Sequence, residues 1–130
     1  MYSHNTLINL KTFISIVKLT TSQLETRYLP DFELQLSRDL QLLREHLQAE
    51  RMDPARKLAH SCVGLCEVMG AEALSKEIRR IEAGCDTQSA MSLHALTDGL
   101  NVILQDTCGQ MRTILEHMPR EPSGPARADG

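Results

Sequence analysis

In a chain of 130 residues, 14 Lys and Arg stand against 17 Asp and Glu, a formal charge of −3, and the length suits one hydrophobic core. The negative sign, the lack of any basic run and an aromatic content of 3% with no Trp exclude a partner held by phosphate charge and base stacking, so no nucleic acid is expected. No apolar run reaches the ~20 residues of a membrane span, and Leu, Ala, Gln, Glu and Arg dominate over β-branched and aromatic residues, so the expected class is all-α with no membrane partner.

Residues 1–9 carry no basic stretch followed by an apolar one, so no secretory leader is expected and a cytoplasmic setting is the default. Leu10, Phe13, Ile14 and Val17 recur at spacings of three and four and predict a short N-terminal helix, although the run from Phe13 to Leu19 also suits a strand. Ser22 with Glu25 reads as a capping box, opening a helix whose stripe is Leu24, Tyr28, Phe32, Leu36, Leu40, Leu43 and Leu47. Pro30 falls inside that pattern and should kink the helix or begin a new one near Asp31, because an interior proline loses a backbone hydrogen bond and crowds the preceding turn. Asp53-Pro54 predicts a third helix, with Asp53 as N-cap, proline in the first helical position and Gly70 as the stop.

A fourth helix is expected from about Ala71 to Glu82, with Leu74, Ile78 and Ile81 on one face and Gly84 at its end. The fifth runs from about Thr87 to Met118 on a stripe of Leu93, Leu96, Leu100, Ile103, Met111, Ile114 and Met118. Short connections between such helices give an antiparallel up-and-down four-helix bundle with an additional short N-terminal helix. From Pro119 onward the chain holds three of its five prolines and no large apolar side chain, so residues 1–118 read as the domain and 119–130 as a flexible tail. Cysteines 62, 66, 85 and 108 are expected to be reduced core residues.

Projected on a wheel, the third helix gathers Ala55, Leu58, Ala59, Cys62, Leu65, Cys66 and Met69 within about 120°. Arg56, Lys57, His60, Gly64 and Glu67 lie opposite, with His60 near the centre. A histidine on a helix surface needs no function, and His4, His46, His94 and His117 also occur. Gly64, one turn on, sets His60 apart: an interior glycine costs roughly 0.5 to 1 kcal/mol relative to alanine, and here it clears the way for another surface to approach the imidazole.

The run Leu58-Ala59-His60-Ser61-Cys62-Val63-Gly64-Leu65-Cys66-Glu67-Val68-Met69-Gly70-Ala71, followed by Leu74, resembles the phosphorylation-site helix of bacterial histidine phosphotransfer (HPt) domains. His60, Gly64, Gly70, Ala71 and Leu74 agree with that family's pattern, Cys62 keeps an apolar residue where the family has Leu, and the order of helices agrees from about Asn9 to Met118. The motif is degenerate: Val63 replaces the usual Lys, Leu65 a small residue and Cys66 a frequent Ala.

The resemblance implies a phosphorelay intermediate of two-component systems, accepting a phosphoryl group on His60 from a receiver-domain aspartyl phosphate and passing it to, or back to, a response regulator. Its partners would be that receiver domain and a sensor histidine kinase or hybrid kinase. The chain would need no cofactor of its own, with Mg²⁺ held by the receiver. A solvent-facing imidazole is predominantly neutral near pH 7 and presents a nucleophilic nitrogen. Lys57 and Arg56 are the residues expected to supply the charge of the missing Lys, Glu67 either orients the imidazole or is solvated, and Val63 is either a partner-docking residue or a boundary position. Autokinase activity is not expected, because the chain has no Gly-rich phosphate loop, HExxH or nucleophile elbow. A free-standing shuttle and an excised domain of a hybrid kinase both fit.

Two other classes compete. A non-catalytic adaptor would use the same exposed face to dock a receiver or kinase without transfer. A metal bundle would use Cys62 and Cys66, but structural zinc wants four ligands and His60 lies about 160° around the helix from Cys62.

Overall fold

The computed structural model describes residues 7–17 and 23–118, and among these it is all-α, with no strand. A first helix, α1 (Leu10–Val17), precedes a single π-helical turn at Leu24–Tyr28, which leads directly into α2 (Leu29–Gln48). The remaining helices are α3 (Met52–Met69), α4 (Glu72–Gly84), α5 (Ala90–Leu96) and α6 (Leu100–Glu116), with a 3₁₀ turn at Thr97–Gly99 joining the last two. Helix α3 packs along α4 on one side and α2 on the other, and α5 and α6 close the bundle against α2 and α4. The expected Ser22 cap and the tail at 119–130 lie outside the described residues.

Leu36, Leu40, Leu43 and Leu47 of α2 are all buried, as their spacing of three and four requires, and so are Leu74, Ile78 and Ile81 of α4. Pro30 sits in the first turn of α2, at the point where the π-helical turn, with Leu29 N–H donating to Leu24 O, passes into α geometry, so the chain stays helical through the proline and the wider π turn takes up its missing hydrogen bond. The α2–α3 connection turns at Glu50, which takes the left-handed φ of 59°, and Arg51 N–H donates to His46 O at 2.8 Å.

Gly70 stops α3 as expected, and it also anchors α1. At φ 78° it lets Ala71 N–H reach Cys66 O at 2.8 Å, while its own carbonyl accepts Asn9 N–H at 2.7 Å. A Cβ there would stand 2.9 Å from Asn9 O and 3.2 Å from Phe13 N, so the absence of a side chain is what lets α1 lie on the end of α3.

Three sequence expectations are corrected. Helix α3 starts at Met52 with Arg51 at the cap position, so Asp53 does not cap it; its carboxylate is taken by Arg56 and Lys57 instead. The single long helix expected over 87–118 is two helices. Ser89 caps α5 by accepting Ser92 N–H at 3.1 Å, and the chain then tightens at Thr97-Asp98-Gly99, where Thr97 Oγ1 donates back to His94 O at 2.6 Å. Arg44 of α2 holds this break from outside, donating to Thr97 Oγ1 at 2.7 Å and Asp98 at 2.9 Å.

The core face of α3 is also rotated from its wheel position. Val63 is buried at 6% exposure together with Ala55, Ala59, Cys62, Cys66 and Met69, whereas Leu58 and Leu65 are only partly covered. The two flanking helices cause this shift, because the close α3–α4 seam covers the Val63 side and the looser α2–α3 seam leaves Leu65 half open.

Candidate histidine site on the α3–α4 seam

His60 projects from the middle of α3 with its side chain 77% exposed, on the face the wheel assigns to solvent. Its ring is nevertheless fixed. Nδ1 lies 2.7 Å from Oε2 of Glu82, a half-buried carboxylate in the last turn of α4. An ionised carboxylate only accepts, so Nδ1 carries the hydrogen and donates it, and the tautomer this selects for the neutral form of the ring is the one with its lone pair on Nε2. The arrangement therefore presents one nucleophilic nitrogen outward and holds it with a carboxylate on the opposite side of the ring.

Gly64 leaves the approach open. A Cβ built at that position meets nothing within 4 Å, so no packing inside the chain calls for glycine there. Gly109 of α6 is equally open, and nothing in the structure explains it.

The other expected site residues are arranged differently. Asp53 draws Arg56 to 2.5 Å and Lys57 to 3.4 Å, toward the start of α3, and these two cations, Arg56 foremost, hold the Asp53 carboxyl below its ordinary range. Asp53 in turn holds the Arg56 guanidinium above its own ordinary value. Glu67 does not orient the imidazole; it pairs with Arg79 of α4. Val63, being buried, offers no docking surface, and the apolar residues exposed nearby on α3 are Val68 and the half-covered Leu65.

Glu82 and Arg79 are the two site residues that the sequence pattern missed. Both belong to α4, and a wheel of α3 carries no information about them. The available signal was the short turn between Gly70 and Glu72, which sets α3 and α4 antiparallel and brings the end of α4 beside the middle of α3.

All four cysteines are free thiols. Burial pushes Cys62 and Cys108 up to about 12 and Cys66 higher still, so these three are neutral core groups at physiological pH. Among the described residues, no three His, Cys, Asp or Glu side chains are grouped so as to hold a metal ion. Among the described residues, no helix is long and apolar enough to cross a membrane. No family model matches the chain, and neither a curated protein nor a solved structure matches it.

Proposed function

We propose that this chain is a histidine phosphotransfer protein of the kind its α3 motif resembles, with His60 as the phosphoryl acceptor. The observation that carries this proposal is the Glu82–His60 contact at 2.7 Å, which leaves Nε2 bare on an exposed, rigid helix face. In the transfer, the Nε2 lone pair forms a bond to the phosphorus of a receiver aspartyl phosphate. The bond from phosphorus to the carboxyl oxygen breaks, and the electron pair leaves with the receiver's aspartate. The ring gains positive character as the bond forms, and Glu82 stabilises it while keeping the Nδ1 hydrogen. Mg²⁺ and the charge on the equatorial oxygens belong to the receiver's own site. Reversal of the same step hands the phosphoryl group to a response regulator.

A second use of the same face is favoured by one observation: Arg56 and Lys57 are engaged by Asp53, and Arg79 by Glu67, so these cations of α3 and α4 are already paired. That arrangement suits an adaptor which docks a receiver or kinase without transfer.

Incubation with phosphorylated receiver domains, beside a His60→Gln control, separates the two. Transfer gives an acid-labile, base-stable label on the wild type and none on His60→Gln. Binding to a receiver without any such label points to the adaptor, and neither binding nor label with any receiver or kinase sinks both.

A further inference from the structure

The phosphotransfer proposal makes no use of the groove between α2 and α3, a cleft of about 690 Å³. Its floor is the buried Leu24, Phe32 and Met69, but its rim stands in solvent, with Leu34 52% and Val68 68% exposed. Apolar side chains this open, gathered along one cleft, mark a surface that is covered by something. Two charges on the rim say what covers it. Asp31 and Arg38 lie on the same exposed stripe of α2, one turn to either side of Leu34 and Gln35, and neither has an ion-pair or hydrogen-bond partner among the described residues.

We propose that a second copy of this chain occupies the groove, forming an isologous dimer in which the two α2 helices pack antiparallel about a two-fold axis between Leu34 and Gln35. In a two-fold interface each contact occurs twice, with the roles of the copies exchanged. An axis at this point sets Asp31 opposite the second copy's Arg38, and Arg38 opposite the second copy's Asp31. It also buries Leu34 near its own equivalent and beside the open edge of Val68. A foreign helix could satisfy the two charges with residues placed anywhere along it, whereas a mirror arrangement of opposite charges about an exposed leucine is what self-pairing requires. The groove lies on the α2 flank of α3, whereas His60 pairs with Glu82 on the α4 flank, so the dimer rests on different residues from the phosphotransfer proposal and is tested apart from it.

Sedimentation velocity and light scattering, run from micromolar to millimolar chain at low salt, test this directly. The wild type is expected to move from the 14.6 kDa chain mass toward twice that value. Asp31→Arg and Arg38→Asp should each weaken association at least about tenfold, since each places like charges opposite one another twice. The double variant, which swaps the charges, should recover association, and Leu34→Glu should abolish it. Circular dichroism checks that these surface variants keep their helices. A wild type that stays monomeric throughout, whatever else binds the groove, overturns the proposal. So does association that the single charge changes leave untouched or that the swap fails to restore.

Discussion

At the residue scale, the proposed phosphotransfer site would reduce to three positions with separable duties: His60 to supply the nitrogen, Glu82, 2.7 Å from Nδ1, to fix which nitrogen is free, and Gly64, with nothing within 4 Å of a built Cβ, to keep the approach clear. Removing the carboxylate with Glu82→Ala should slow phosphoryl transfer from a receiver by roughly ten- to a hundredfold, since the ring loses both its tautomer and its orienting partner. Glu82→Gln keeps an oxygen to accept from Nδ1 and should lose less, so the ordering of the two variants in single-turnover transfer assays checks the role. Equal losses would mean that charge alone matters. Gly64→Ala separates stability from access. Its new methyl meets nothing within 4 Å, so the helix should gain about 0.5 to 1 kcal/mol in urea denaturation while transfer slows. A stabilised variant that transfers at the wild-type rate would take Gly64 out of the site. His60 and Gly64 were legible in the sequence because both lie on one helix face and a wheel displays that face. Glu82 was not, because it is set opposite His60 by tertiary packing alone.

At the element scale, the same division explains what the sequence disclosed of the fold. Helix identity follows from spacing and from stop signals such as Gly70, both of which are local, and the all-α class followed from them. The break at Thr97–Gly99 is held by Arg44, more than fifty residues away in the chain, so the apolar stripe ran across it without a mark. The rotation of α3 that buries Val63 likewise depends on how closely α4 seats against it, and the Asp53 carboxylate found two cations within its own helix instead of a cap. Gly70 offers the sharpest test of an element junction. Gly70→Ala must hold a side chain at φ 78° and press a methyl to within 3 Å of Asn9 O, which should cost on the order of 1 to 3 kcal/mol. The loss should appear in denaturation midpoints and in faster amide exchange in α1, whereas exchange in α2 well below the global opening limit should be unchanged. Protection of α1 equal to the wild type would mean that the Asn9–Gly70 hydrogen bond does not hold it.

At the scale of the whole molecule, a core built from Leu, Ile, Ala and Cys with few aromatics carries three buried thiols, and these couple stability to alkaline pH. Desolvation raises the folded values of Cys62 and Cys108 to about 12 and that of Cys66 further, against a reference near 9.0 in the unfolded chain. Above that reference the unfolded state gives up thiol protons that the folded state retains, so the unfolded state binds fewer protons and stability falls as pH rises. The contribution is complete below about 9 and is lost progressively toward 12, at up to about 1.4 kcal/mol per pH unit for each thiol. Cys85, partly exposed at the end of α4, is shifted up less far and contributes least. Urea denaturation at pH 8, 9 and 10 should therefore show a decline that becomes shallower in Cys108→Ala, even though that variant starts from a lower stability through its small cavity. Comparing slopes rather than absolute values removes the background from Tyr and Lys titration, and parallel slopes would exclude the thiols as the source. The same burial predicts that a thiol reagent at pH 8 labels Cys85 promptly and the other three only as fast as the bundle opens. Prompt labelling of Cys66 would show that the core is more open than its packing requires.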